Sequence, residues 1–181
     1  MRRFLAVLAL LCIATQAQAD RESAVYATVG LWQVRIDTSL NNACYIAAGY
    51  ERGSVLRIGF ANDGAYVAIG DTRWQSLEVG KKYHVILRVD QLSPWEGNYS
   101  VVRIGTLPML TIKINGARFL REVAEGQWLA ISYRGRVITN LRLTGSYAAI
   151  MKMAECQRAM GVRQADPFAV PRPRTTTDPF L

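Results

Sequence analysis

The stretch Gly135–Gly161, GRVITNLRLTGSYAAIMKMAECQRAMG, reads as a strand running directly into a helix. In the helix, Ala149, Ile150, Met153, Cys156 and Met160 fall on one stripe, while Lys152, Glu155 and Arg158 lie off it. That spacing predicts an amphipathic helix, with Ser146 as its N-cap and Cys156 turned towards a core. Cys156 then needs a partner. The sequence holds three cysteines, and Cys12 lies in an N-terminal apolar run, which leaves Cys44. A Cys44–Cys156 disulfide would fasten the end of the domain to its beginning. Closing a loop of more than about 100 residues is worth about 4–5 kcal/mol in the chain-entropy picture. The alternative is a pair of free, buried thiols.

The first residues bear on where such a bridge could form. Arg2 and Arg3 precede the apolar run Phe4–Ala14, and Ala17-Gln18-Ala19 supplies a small-x-small cleavage pattern. Residues 1–19 are therefore expected to be a signal peptide, and the apolar run is too short to span a bilayer. Lipid attachment at Cys12 is the rival, but Leu11 stands where that signal needs a small residue. Export to the periplasm or beyond agrees with a single disulfide in the mature chain.

The full sequence carries 22 Lys and Arg against 14 Asp and Glu. Loss of Arg2 and Arg3 with the signal leaves 20 against 14, a net charge of +6. The charge is spread along the chain, and Lys81-Lys82 is the one Lys/Arg doublet beyond the signal. Clustered charge would be the mark of a nucleic-acid footprint, so nucleic acid is not expected as a partner. Attraction to an acidic surface, whether lipid, polysaccharide or protein, remains open.

Residues 20–28 read as a loose polar leader, and 29–161 as one domain of about eight or nine short strands. Trp32, Val34 and Ile36 alternate with Gln33, Arg35 and Asp37, as in a half-buried strand. Ala43–Ala48 is a second strand, carrying Cys44 and Ile46. Leu56, Ile58 and Phe60 lead through Asn62-Asp63-Gly64, a hairpin turn, into Tyr66–Ile69. Tyr83, Val85, Leu87 and Val89 line one face of a further strand, with His84, Ile86, Arg88 and Asp90 on the other. Ser93–Gly97 reads as a turn. Tyr99–Gly105 and Leu110–Ile114 read as strands, with Pro108 as the break between them. Ala117–Glu125 has helical spacing, closed by Gly126. Trp128–Tyr133 and Val137–Leu143 make a hairpin about Arg134-Gly135-Arg136. Prolines at 167, 171, 173 and 179 mark residues 162–181 as a disordered tail. Recurrent turns favour a mainly β fold: an antiparallel β-sandwich or partly open barrel, with a short helix and a C-terminal helix tethered by the disulfide.

A search for chemistry returns little. His84 is the single histidine, set mid-strand on a polar face. A Ser-His-Asp or Cys-His arrangement would have to use it, yet no G-x-S-x-G string accompanies it. One His and two bonded Cys do not supply a zinc site. Carboxylate pairs drawn from Asp63, Asp71, Asp90, Glu96, Glu122 and Glu125 could do glycoside chemistry, but most stand in turns or on a polar helix face. No phosphate loop is present. No catalytic residue, cofactor or metal is therefore expected. Trp95, beside Pro94, and Tyr99 near it are the candidate contacts for a partner, against the plainer reading that Trp95 packs internally. Asp-Pro-Phe occurs at 166–168 and again at 178–180, as a docking motif or a spacer.

Several landmarks fall in a recognisable order: Trp32-x-Val34, Cys44, Trp74-x-x-Leu77-x-x-Gly80-x-x-Tyr83, then Leu141-x-Leu143-x-Gly145-Ser146 with Ala148-Ala149 and Cys156. This layout resembles a set of small periplasmic proteins of alphaproteobacteria. More distantly it is similar to the invasion-associated locus B proteins, which also end in a strand, a glycine and an Ala-containing helix. The resemblance implies an envelope-associated role and brings no catalytic residues with it. The expected function is thus a non-enzymatic binding or interaction protein of the bacterial envelope, with no transmembrane segment once the signal is removed. An inhibitor or immunity-type protein against an envelope-directed hydrolase is the first alternative, and a carboxylate-based carbohydrate-active enzyme the second.

Overall fold

The structure is a computed structural model that describes residues 23–61, 64–114 and 117–161. The expected signal segment, the Asn62-Asp63 part of the hairpin turn and the Pro-rich tail lie outside the described residues. In chain order the elements are β1 (Val25–Val29), β2 (Trp32–Asp37), a 3-10 turn (Thr38–Leu40), β3 (Ala43–Gly49), β4 (Ser54–Ala61) and β5 (Gly64–Asp71). There follow β6 (Lys82–Val89), β7 (Trp95–Ile104), β8 (Leu107–Ile114), α1 (Arg118–Glu125), β9 (Trp128–Tyr133), β10 (Arg136–Arg142) and α2 (Ser146–Ala159).

All ten strands join one antiparallel sheet in the order β1-β2-β3-β4-β5-β8-β7-β6-β9-β10. The chain runs as a meander to β5, skips two positions through residues 72–81, and returns through β6, β7 and β8. That skip places β6 beside β9. The sheet is open but strongly curled. Trp32 in β2 and Leu141 in β10 come from near its opposite edges, yet they belong to the same buried cluster. The Tyr50 hydroxyl donates to the Arg142 carbonyl at 2.9 Å, and the Ser54 and Thr139 hydroxyls lie 3.3 Å apart, so β10 meets the β3–β4 corner. The expected mainly β fold with a tethered C-terminal helix is present. It is one continuous sheet whose two halves face each other across the core in the manner of a sandwich.

Helix α2 covers β1, β2 and β3 and packs on α1. Ala149, Met153 and Cys156 are fully buried beneath it. Cys44 and Cys156 form a disulfide with their Cα atoms 6.1 Å apart, a usual separation for such a bridge. The Leu143-x-Gly145-Ser146 corner fixes how α2 leaves the sheet. Leu143 is buried, and Gly145 adopts φ +85°, a left-handed conformation that glycine takes without a steric penalty. The indole N–H of the fully buried Trp32 donates to the Thr144 carbonyl at 3.0 Å, pinning β2 to this corner.

Four expectations need correction. The leader is not loose throughout: Val25–Val29 is β1, paired with β2, because Tyr26, Ala27 and Val29 pack on the core. Ser146 does not cap α2. Gly145 takes the cap position, and the buried Ser146 hydroxyl donates instead to the Val123 carbonyl at 2.7 Å, tying α2 to α1. Pro108 does not break a strand. It lies inside β8, opposite Arg103, and the chain turns at Gly105-Thr106. The stretch 93–97 is not all turn, since β7 begins at Trp95, which is paired with Leu87.

Candidate binding face

Tyr99 is not available to a partner. It is 1% exposed, because its position in β7 points it inward with Val101, and burial pushes its hydroxyl pKa upward. Trp95 is half-buried and engaged with α1. Its indole N–H donates to Glu122 Oε2 at 2.5 Å, its ring meets Phe119 edge-on at 5.4 Å, and the Arg118 guanidinium covers it at 4.2 Å. Glu122 also takes an ion pair from Arg118 at 3.0 Å.

Other carboxylates considered for catalysis hold the fold together. Asp71 is fully buried, accepting from Arg73 and Ser54. Hydrogen bonds from Arg73 outweigh the upward push of burial and hold its carboxyl well below the usual range. Asp90 accepts from the backbone N–H groups of Gln127 and Trp128, both at 2.9 Å, securing the start of β9. Among the described residues no three His, Cys, Asp or Glu side chains gather in a way that could hold a metal. No helix among them is long and apolar enough to cross a membrane.

Charge that looks scattered in the sequence is gathered by the pairing of β6 with β9 and β9 with β10. These three strands and the Arg134-Gly135 turn carry Lys82, Arg88, Arg134, Arg136 and Arg142, with no Asp or Glu among them. Register settles which residues share the outer surface. Arg88 lies opposite Ala130, which lies opposite Asn140; Ile86 lies opposite Ser132, which lies opposite Val137; Trp128 lies opposite Arg142. Inward positions of the same strands, Val85, Leu87, Leu129, Ile131 and Leu141, are buried. The outer surface therefore presents Lys82, His84, Arg88 and Arg142 to solvent, together with Trp128 (42% exposed) and Val137 (59% exposed). The Arg142 guanidinium stacks 4.8 Å from the Trp128 ring, which fixes both side chains in one place. Cations with interleaved aromatic and apolar groups on a rigid sheet form a surface that attracts anions and gives them a firm footing.

At the end of the sheet, by the β9–β10 turn, Lys82 and His84 of this face help to line a depression of about 510 Å³. Its walls are Tyr83 and Tyr133, whose rings meet edge-on at 6.0 Å, and its rim carries Lys82, His84 and Arg134. Lys81 and Glu78 also line it, and they are paired with each other at 2.7 Å. Among the described residues no carboxylate lies within ion-pair distance of Lys82 or Arg134; the Arg134 guanidinium rests 5.2 Å from the Tyr133 ring.

Sequence reasoning missed a second cationic centre. Arg57, an alternating strand position that reads as solvent-facing, is buried on the outer side of β4. It pairs with Asp37, donates to the Tyr66 hydroxyl at 2.6 Å, and covers the Tyr45 ring at 3.6 Å. Burial disfavours the Arg57 cation, but Tyr66, Asp37 and Tyr45 more than offset it. The Asp37 carboxyl, pushed up by burial, is brought below its ordinary value by Ser39 and Arg57. Burial raises the Tyr66 hydroxyl to about 12, with Arg57 opposing. This centre is satisfied from within, so the outer face of β6, β9 and β10 is the better candidate for binding.

No known family and no curated protein matches the sequence. Among solved structures the chain is similar to invasion associated protein B from Bartonella henselae, with a TM-score of 0.54 and 13% sequence identity. The likeness covers 73% of this chain and 97% of that one. The distant similarity expected from the order of motifs is therefore present in the fold.

Proposed function

We propose that this is an exported, non-enzymatic binding protein of the bacterial envelope, and that it holds an acidic partner on the outer face of β6, β9 and β10. The observation that carries this reading is the grouping of Lys82, Arg88 and Arg142 on one face of three strands that hold no carboxylate, with Arg134 at the adjoining turn and Glu96 of β7, opposite Ile86, at the border of the face. Export is supported by the N-terminal segment and agrees with the Cys44–Cys156 bridge. The likeness to a protein described as invasion associated agrees with an envelope-associated role.

The test is retention on immobilised sulfated dextran and on isolated bacterial envelopes, with elution by salt. Wild-type protein should be retained, and an Arg88→Glu/Arg142→Glu variant should elute at markedly lower ionic strength with an unchanged circular dichroism spectrum. Equal retention of the two proteins would overturn the assignment of this face.

A further inference from the structure

We infer that the depression at the β9–β10 turn is a pocket for one sugar residue bearing a phosphate or carboxylate group. The inference rests on the reading of the basic face above and names what that face would recognise at one end.

Size and lining point to this class of ligand. At about 510 Å³ the depression lies within the roughly 300–1,000 Å³ usual for small-molecule sites. Four charged side chains, Glu78, Lys81, Lys82 and Arg134, line it beside His84 and the two tyrosines, a mixture that suits a polar ring with an anionic group better than an acyl chain. Two tyrosine rings at a fixed edge-on angle offer flat apolar walls of the kind a sugar ring can lie against. Lys82, His84 and Arg134 stand at the rim, and Lys82 and Arg134 have no carboxylate partner among the described residues. An anionic substituent on the sugar would meet these groups while the sugar ring lies against the exposed side of the tyrosine pair, whose two rings touch each other.

The backbone adds an independent observation. Arg134 has φ +50° and Gly135 has φ +74°. Two consecutive left-handed residues make the tight hairpin turn that Asn-Gly fills most readily. Arginine bears a steric penalty in that conformation which asparagine largely escapes. What Arg134 adds over asparagine is a long cationic side chain directed onto Tyr133 at the pocket.

This makes Arg134→Asn an informative variant, because it should keep the turn and remove the charge. His84 is the chain's single histidine, so its imidazole signals report on the pocket without overlap. Glucuronic acid, glucose 6-phosphate, glucose and inorganic phosphate would each be titrated into the protein by NMR. The two anionic sugars should shift the His84 signals saturably. Glucose and inorganic phosphate should bind at least tenfold more weakly. Arg134→Asn and Lys82→Gln should each weaken the anionic sugars at least tenfold, with the melting temperature of Arg134→Asn equal to wild type or higher. Unchanged affinity in Arg134→Asn, or inorganic phosphate binding as well as the sugars, would overturn the inference. If wild-type retention on sulfated dextran persists in that case, the broader reading of the face stands; if retention is lost as well, both fall.

Discussion

The backbone N–H of Cys44 donates to the side-chain oxygen of Gln157 at 2.8 Å, one residue beyond the cysteine to which Cys44 is bonded. The start of β3 is thus held to α2 both by a covalent bond and by a buried hydrogen bond. The two contributions act on different states. The disulfide closes a sequence separation of 112 residues and chiefly restricts the unfolded chain, while Gln157 satisfies a backbone donor in the folded one. Cys44→Ala/Cys156→Ala should lose about 3–5 kcal/mol of stability. Gln157→Ala should lose about 1–3 kcal/mol by leaving the Cys44 N–H buried without a partner. Urea unfolding measures both. Intact mass supplies the chemical check: in the wild-type protein Cys44 and Cys156 should react with an alkylating agent only after reduction.

Alternation made β2, β4 and β6 legible, and the helical stripe made α2 and the inward aim of Cys156 legible. What alternation does not carry is which strands become neighbours. Nothing local to Lys82–Val89 says that it will lie beside Trp128–Tyr133, and the basic face exists only through that pairing. The same limit explains Arg57. A charged residue at an alternating position reads as exposed until Tyr45 and Tyr66 from the flanking strands are seen to enclose it. β1 was missed because Val-Tyr-Ala-Thr-Val has little contrast between its faces. Ser146 reads as a cap, but it is the first residue of the helix itself: Gly145, at φ +85°, takes the cap position, and the Ser146 hydroxyl donates to the Val123 carbonyl.

Asp71 offers a test of how a buried carboxylate ties stability to pH. Arg73 donates to its two oxygens from Nε and Nη2, both at 2.8 Å, and the Ser54 hydroxyl donates at 2.5 Å. These bonds favour the charged form, so the carboxyl is held below its unfolded value. A depressed folded value means that the stabilisation is present above the unfolded carboxylate pKa of about 3.9 and is lost as pH falls through the lower, folded one. Asp71→Asn should therefore cost about 2 kcal/mol at pH 7, a figure kept modest because the Arg73 side chain is 56% exposed. Chemical denaturation at a series of pH values should show the gap between variant and wild type constant down to about pH 4 and narrowing below it. A gap that stayed constant into strong acid would mean that the charge on Asp71 contributes nothing.

Two glycines on the same face of neighbouring strands should respond in opposite ways to the same substitution. Gly59 in β4 sits where Tyr45 and Tyr66 close over Arg57. A Cβ there would lie 2.6 Å from the Tyr45 Cβ and 2.8 Å from the Tyr66 hydroxyl oxygen. Neither neighbour can yield freely. Tyr45 meets the obstruction at its own Cβ, next to the backbone of β3, and Tyr66 is fixed by the Arg57 hydrogen bond at 2.6 Å. Gly59→Ala must therefore spread β3 from β4 or break the tyrosine–arginine contacts, at about 1–3 kcal/mol. At Gly49, near the end of β3, an added Cβ meets nothing within 4 Å and the backbone is not left-handed. There the main effect of alanine is to reduce the freedom of the unfolded chain, so Gly49→Ala should be neutral or stabilising by up to about 1 kcal/mol. Thermal melts of the two variants beside the wild type decide the matter. A Gly59→Ala protein as stable as Gly49→Ala would mean that the tyrosine enclosure of Arg57 is loose enough to admit a methyl group.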